Sequence, residues 1–391
     1  MNLYLNDMGV ISPIGAGKAD VLAHLLAADG DAMEPYFGLL TGRSTMIGRV
    51  REELPAAPAE LADLDCRNNR LLAHALDQIA EPIADLRDAF GADRIAVVLG
   101  TSTSGVSAGE EALAAHARDG HMPGTYHYKQ QEIGTAAEFA ARYLKLTGLR
   151  YTISTACSSS AKAFASAWRL LAAGRCDAAI VGGVDSLCKL TLNGFDALES
   201  LAPDRCNPFS ANRRGINIGE GACIFVVSKA PAAIRLCGVG EFSDGYHISA
   251  PDPSGRGAEA AIRAALAQAG ALPEAVGYVN LHGTATPKND EMEGQVMARV
   301  FGLTAPCSST KSLVGHTLGA AGALELGFCW LLLSDANVGR RLPAHAWDGA
   351  RDRNLPPINL IGDDARWERD LFVSNSFAFG GSNAAVAVGR A

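Results

Sequence analysis

The sequence predicts a duplicated α/β fold in which parallel strands are covered on both faces by helices. Three observations carry this: apolar strand-like runs alternate with helix-like ones, they end in small hydroxyl-rich or glycine-rich turns, and their order occurs twice. In the first half, residues 94–99 (RIAVVL) enter the turn Gly100-Thr101-Ser102-Thr103-Ser104-Gly105; in the second, residues 277–281 (GYVNL) enter His282-Gly283-Thr284-Ala285-Thr286. The next first-half strand, residues 151–154 (YTIS), passes through Cys157 into an alanine-rich, helix-prone run, 161–173, that ends at Gly174. Its counterpart is 308–312 (SSTKS) followed by the small-residue helical stretch 315–333. Apolar strands close both halves: 177–184 (DAAIVGGV) in the first, and 370–374 (DLFVS), a glycine-rich turn and 384–388 (AAVAV) in the second. The joint falls near residues 228–237. Because functional groups in such folds gather beyond the strand ends, these turns are expected to meet at one site.

At 391 residues the chain is long for one core, and 48% hydrophobic residues with 42 glycines and 19% charged residues describe a compact globule rich in tight turns. Aromatic residues make up only 6%, so small side chains fill much of the interior. A net charge of -8 argues against a general nucleic-acid binder, and an acidic partner must find a local basic patch. The N-terminal segment has no basic region followed by a long apolar stretch, and nowhere do about 18 apolar residues run together, so a cytoplasmic protein without a membrane span is expected. Nine cysteines, without a C-x-x-C pair or zinc-ligand spacing, exclude a disulfide framework and a structural metal site.

Cys157, in Thr155-Ala156-Cys157-Ser158-Ser159-Ser160, stands where a strand turns into a helix. Free amides and the helix dipole stabilise anions there, so its thiol is expected to ionise more easily than a free one and to act as a nucleophile. Most cysteines are small buried hydrophobes, and a lone histidine is usually structural. His282 and His316, however, occupy matching strand-end positions in the second half, and a cysteine with two histidines is a working constellation. A cysteine hydrolase needs one histidine with an orienting Asn or Asp. Two neutral imidazoles instead suit hydrogen bonding to an enolate left by departing CO2, hence carbon–carbon bond formation. Lys311 supplies a fixed charge. The turn 375–383 (NSFAFGGSN) reads as a hairpin, or as a source of an oxyanion-hole amide with an aromatic gate; Thr284 and Thr286 could bond an amide-bearing flexible arm.

The chain resembles the elongating β-ketoacyl-acyl-carrier-protein synthases over nearly its whole length, through TACSSS at Cys157, HGTATPKND from His282, KSLVGHTLGAAGALE from Lys311 and NSFAFGGSN from Asn375, all in the family's order. The resemblance implies a thiolase-like, duplicated α/β/α/β/α layered fold with two mixed sheets, an N-terminal half over 1–235 and a C-terminal half over 236–391. It implies that Cys157 takes the acyl chain and that His282 and His316 assist malonyl decarboxylation. Lys311 is the active-site lysine with Glu325 as its acidic partner, Phe379 is the gate, and the amides of Cys157 and Phe379 form the oxyanion hole. Thr284 and Thr286 contact pantetheine, and Asp290 and Glu293 buttress the site. No cofactor is implied beyond the 4'-phosphopantetheine of the acyl-carrier protein. That protein is the expected partner, with Arg67, Arg70, Arg205 and Arg213 as candidate docking charges, and a homodimer or a heterodimer with a chain-length-factor-like subunit is expected.

Chain-length factors themselves lack the nucleophile, which this chain keeps; initiating synthases use Cys-His-Asn and degradative thiolases need a second cysteine. A non-catalytic partner subunit and a Cys-His thioester hydrolase are the competing readings. The polar stretch 126–134 (YHYKQQEIG) departs from the housekeeping pattern. With Arg67-Asn68-Asn69-Arg70 it is more similar to synthases of bacterial aryl-polyene pigment clusters, which implies an unsaturated, conjugated or aryl-primed chain.

Overall fold

In a computed structural model, which describes residues 1–28 and 30–391, the chain folds around an eleven-stranded sheet with a three-stranded sheet beside it. The first half contributes strands β1 (Leu3–Ser12), β2 (Gly15–Ala16), β3 (Met33–Tyr36), β4 (Thr45–Gly48), β5 (Ile95–Gly100), β6 (Arg150–Ile153), β7 (Ala178–Asp185), β8 (Ile218–Gly219) and β9 (Gly221–Ser228). Its helices are α1 (Lys18–Ala27), α2 (Arg67–Asp77), α3 (Ala80–Phe90), α4 (Val106–Asp119), α5 (Thr135–Tyr143), α6 (Ser159–Ala172) and α7 (Lys189–Ala197). The second half adds β10 (Ile234–Ser243), β11 (Val276–Asn280), β12 (Cys307–Ser308), β13 (Leu371–Ala378) and β14 (Ser382–Arg390), with α8 (Arg256–Ala269), α9 (Pro287–Val300), α10 (Lys311–Val314) and α11 (Ala321–Leu333). No helix among the described residues is long and apolar enough to cross a membrane.

The strand order β6-β5-β7-β9-β1 on one side of the large sheet is matched by β12-β11-β13-β14-β10 on the other, which is the expected duplication. One detail differs from the sequence reading. Within this sheet only β5 with β6 and β7, and β11 with β12 and β13, run parallel; the inner strands are antiparallel. The reason is visible at β13 and β14, where a three-residue turn returns the chain directly and no helix crosses over. The two expected mixed sheets are the two halves of this order, and they also meet edge to edge where β1 pairs with β10 over only two pairs, Leu3 with Leu236 and Tyr4 with Arg235.

Helices α6 and α11 form the layer shared by both halves. Helix α11 is apolar all round and almost wholly buried, as a helix between two sheets must be. It lies close to α6 because Gly322 has no side chain: a Cβ there would stand 2.8 Å from the backbone nitrogen of Ala161. Phe164 of α6 meets Phe225 of β9 edge-on, with ring centroids 5.3 Å apart. The stretch expected as one helix over 315–333 is instead broken, with α10 before it, an extended segment at His316 and a 3-10 turn at Leu318–Ala320. All nine cysteines are unpaired.

Candidate active site

Between β6 and α6 the chain makes a tight turn that needs Ala156 in the left-handed region, at φ 52. The serines after Cys157 hold this turn. Ser159 Oγ accepts from the Thr155 amide at 2.8 Å and donates to the Ala156 carbonyl at 2.6 Å. Ser158 Oγ donates to the Thr155 carbonyl at 2.9 Å and lies 2.9 Å from Ser382 Oγ, tying the turn to the hairpin of β13 and β14. Ser160 Oγ accepts from the Ala323 amide at 2.9 Å and fixes α11. All three serines are fully buried, so they are structural bonds and not open space.

Cys157 is therefore held with its Sγ facing the second half. Its own amide and that of Phe379 lie near the sulfur and favour its ionised form. His316 Nε2 lies 2.9 Å from Sγ. The His282 and His316 rings sit edge to face with centroids 5.4 Å apart, and the Cys157 sulfur and one nitrogen of each ring lie within 4.8 Å of one another. The turns from both halves thus meet at one place.

Each histidine is placed by groups outside the reacting atoms. Glu293 accepts from the amides of His282 at 2.8 Å and Gly283 at 2.7 Å, and from Asn375 Nδ2 at 3.2 Å. Asp290 accepts from the amides of Phe209 at 2.7 Å and Ala285 at 3.2 Å. Both acidic groups are fully buried and tie the 282–285 turn to Phe209 and Asn375, and burial pushes Asp290 up to about 7. His316 is fixed through its backbone: its amide donates to the Asn217 carbonyl at 2.7 Å, and its carbonyl accepts from the Gly219 amide at 3.0 Å. Gly219 and Gly315 permit this approach, since a Cβ on Gly219 would lie 2.0 Å from the Val314 carbonyl oxygen and Gly315 adopts φ 74.

The electrostatics correct one expectation. Burial, opposed by the nearby Lys311 charge and by the two amides, pushes the Cys157 thiol up to about 11. The helix start does not leave it readily ionised, and His316 Nε2 stands ready to take its proton. Burial first, then the Lys311 charge, hold both histidines well below the usual imidazole range, and His316 adds to this for His282; they are neutral. Lys311 Nζ donates to Glu325 Oε1 in a pair that is 1% and 2% exposed, and burial pushes Glu325 up to about 7 against the pull of the lysine. Neither His282 Nδ1 nor His316 Nδ1 has a hydrogen-bond partner among the described residues, so the orienting Asn or Asp of a cysteine hydrolase is missing.

Above these groups is a cavity of about 300 Å³. Cys157, His282 and His316 lie at its buried end; Phe379 flanks them, its ring 5.7 Å from that of Phe195. Thr284 and Thr286 line the way out, with hydroxyl oxygens 2.9 Å apart.

The arginines divide. Arg213 is only 6% exposed and is bound to Asp352 at 2.6 Å and Glu291 at 3.3 Å, so it is a buried structural cation and not a docking charge. Arg67 gives its guanidinium to Glu220, a fully buried carboxylate that also accepts from the amides of Val50 and Leu187, so its charge is committed inside the molecule. Arg70 pairs with Asp65 through two bonds of 2.7 Å. Arg67, Arg70, Tyr126 and His127 line one surface hollow, whereas the exposed Arg205 lines another. Glu220 and Asp185 escaped the sequence reading. Asp185 Oδ1 accepts from Thr101 Oγ1, Thr103 Oγ1 and the amides of Ser102 and Thr103, all at 2.7 Å, and Oδ2 accepts from the Ala320 amide at 3.0 Å, joining the halves. A carboxylate closing a wholly apolar strand was the available signal.

A buried cysteine beside two neutral histidines, at the end of a narrow cavity, is an arrangement that can hold an acyl group on the thiol while a carbon nucleophile forms beside it. The chain belongs to the β-ketoacyl synthase family: residues 58–233 match the Beta-ketoacyl synthase N-terminal domain and residues 233–344 its C-terminal domain. It is 30% identical over 410 residues to 3-oxoacyl-[acyl-carrier-protein] synthase 1 of Haemophilus influenzae, covering 98% of this chain and 97% of that protein. It is 35% identical over 308 residues to Nodulation protein E of Rhizobium meliloti, covering 75% of each. Among solved structures, a ketosynthase from Xenorhabdus doucetiae in complex with its chain length factor matches at a TM-score of 0.95 and 44% identity, covering 100% of this chain and 98% of that one. The protein is a β-ketoacyl-acyl-carrier-protein synthase with a thiolase-like fold.

Proposed function

We propose that Cys157 carries the growing chain in a decarboxylative Claisen condensation and that His282 and His316 serve both of its half-reactions. The convergence of Cys157 Sγ, the two imidazoles and the amides of Cys157 and Phe379 carries this reading. His316 Nε2 accepts the thiol proton as Sγ attacks the acyl thioester on the carrier's phosphopantetheine arm, and the proton leaves with the departing arm thiol. The carbonyl oxygen turns negative between the two amides and then returns to a carbonyl as the carbon–sulfur bond of the arm breaks. Malonyl-carrier next loses CO2, and the electron pair of the broken bond stays on the α-carbon as an enolate; the N–H groups of the neutral imidazoles, with His316 now in its Nε2–H tautomer, stabilise its oxygen. The α-carbon attacks the Cys157 thioester, and expulsion of the thiolate, which takes one proton from solvent to restore the thiol, gives β-ketoacyl-carrier. No further cofactor is required, because the breaking carbon–carboxylate bond supplies the electrons. The buried Lys311–Glu325 pair holds the field around both histidines, and Thr284 and Thr286 bond the arm's amides.

The substrate is an unsaturated, conjugated or aryl-primed chain of the aryl-polyene type, elongated in the cytoplasm. Support comes from the polar 126–134 stretch, whose Tyr126, His127 and Gln130 line the hollow beside Arg67 and Arg70, and from full-length likeness to a ketosynthase in complex with its chain length factor. The same likeness supports a chain-length-factor-like partner in a heterodimer, with an acyl-carrier protein delivering substrates near the exposed Arg205.

Intact-mass analysis after incubation with acyl-carrier protein tests the reaction: an acyl adduct on the protein, absent from Cys157→Ala, is expected, and an adduct that survives the substitution removes Cys157 as the carrier. Competition between polyenoyl and saturated acyl carriers tests the substrate class; equal elongation of both defeats the specialised reading.

A further inference from the structure

Lys288 is the only lysine or arginine among the described residues lining the cavity above Cys157. It is exposed, and its ammonium has no hydrogen bond or ion pair among the described residues. Other cations nearby are paired: Arg213 with Asp352 and Glu291, Arg256 with Asp252, and Arg299 with Glu259. Glu291 is the natural i,i+3 partner of Lys288 on α9, yet it faces Arg213 at 3.3 Å instead. An uncommitted cation at the exposed end of a cavity that reaches a thiol is the kind of group that recognises an incoming anion.

Its position along the cavity identifies that anion. His282 and Thr284 are buried, Thr286 is half-buried and Lys288 is exposed, so six residues of chain run from the reacting end to the rim. Lys288 also lines an adjoining hollow of about 290 Å³, and Ala250 and Pro251 border both spaces, which puts its side chain on the wall where the channel opens outward. A carrier arm has the same order: a thioester, then two amides, then a phosphodiester. With the thioester at Cys157 and the amides at the threonines, the phosphate emerges at the rim.

We propose that Lys288 is a specificity-determining residue that holds the phosphate of the carrier's phosphopantetheine arm; this rests on the condensation reading above. A single partly solvated ammonium–phosphate contact corresponds to a preference of about three- to tenfold. The test compares CO2 release from malonyl-pantetheine 4'-phosphate, malonyl-pantetheine without the phosphate, and malonyl-carrier protein. The wild type is expected to favour the phosphorylated free thioester through a lower KM, and this preference weakens at high salt. Lys288→Gln brings the ratio of kcat/KM for the two free thioesters close to one, and Lys288→Glu inverts it. An unchanged ratio in Lys288→Gln overturns the proposal while leaving the condensation intact. A KM change confined to malonyl-carrier protein also overturns it, since Lys288 then reads the carrier's surface. If the wild type releases CO2 from none of the three, the condensation reading itself fails and takes the proposal with it.

Discussion

His316 Nε2 stands 2.9 Å from Cys157 Sγ, and the thiol it faces is the one that burial pushes up to about 11. Family resemblance by itself assigns His316 to the enolate; this contact puts its Nε2 within reach of the thiol proton as well. His316→Ala is therefore expected to slow both steps. Alkylation of Cys157 by iodoacetamide near neutral pH, followed by intact mass, falls by about 10²-fold or more, in the range of lost general-base assistance, and malonyl decarboxylation falls with it. Alkylation at the wild-type rate would confine His316 to the enolate.

The Lys311–Glu325 pair is buried and lies against the histidines. Lys311→Met leaves a buried carboxyl without its cation and is expected to lower stability by about 3–5 kcal/mol, as is usual when one partner of such a pair is removed. The double variant Lys311→Met/Glu325→Leu recovers much of that loss in calorimetry but not decarboxylation, because the field around the histidines is gone. Full recovery of both would make the pair merely structural.

His345 sets a clean pH dependence. Its Nδ1 accepts from the Ser309 amide at 3.1 Å and its Nε2–H donates to the Pro208 carbonyl at 3.0 Å, so the neutral ring is bound at both nitrogens and burial pushes it down to about 4. Below the usual imidazole value of about 6.5 the unfolded chain takes up a proton that the folded one refuses. The stability from this site is whole above about pH 6.5 and is lost as pH falls towards 4, a total of about 3 kcal/mol. Chemical denaturation at several pH values should show His345→Gln losing about one proton of that slope; an unaltered slope would mean that the ring is charged when folded.

Gly219 is predicted to control the placement of His316. A Cβ at this position lies 2.0 Å from the Val314 carbonyl oxygen, so Gly219→Ala must displace the backbone that bonds His316. Lower kcat for decarboxylation with little change in KM is expected, whereas a thermal shift without a kcat change would mean that the loop absorbs the extra methyl group.

How much of this was legible follows from the range of each interaction. The expected strand at 94–99 became β5 at Ile95–Gly100, and the turn after 277–281 carries His282, since apolar runs and glycine turns are local. The strand over 370–374 was too short, because the polar Asn375 and Ser376 in β13 look like a turn; Asn375 Nδ2 is bonded to Glu293 across the fold. The helix over 315–333 was too long, because partners remote in sequence, Asn217 and Gly219, pull His316 into an extended segment. The docking arginines were the least legible: Arg205 and Arg213 look alike in sequence, and only the position of Asp352 makes Arg213 a buried ion pair.

The sequence by itself determined the duplicated α/β class and singled out Cys157, His282, His316 and Lys311 as candidates by their residue types in short motifs, with Glu325 added by the family resemblance. Tertiary structure alone decided that the thiol is held protonated, that the histidines are neutral and that the sheets of the two halves meet edge to edge at β1 and β10. Those properties depend on burial, on charges brought together across both halves and on strand pairings between residues more than two hundred positions apart, and no local pattern encodes them.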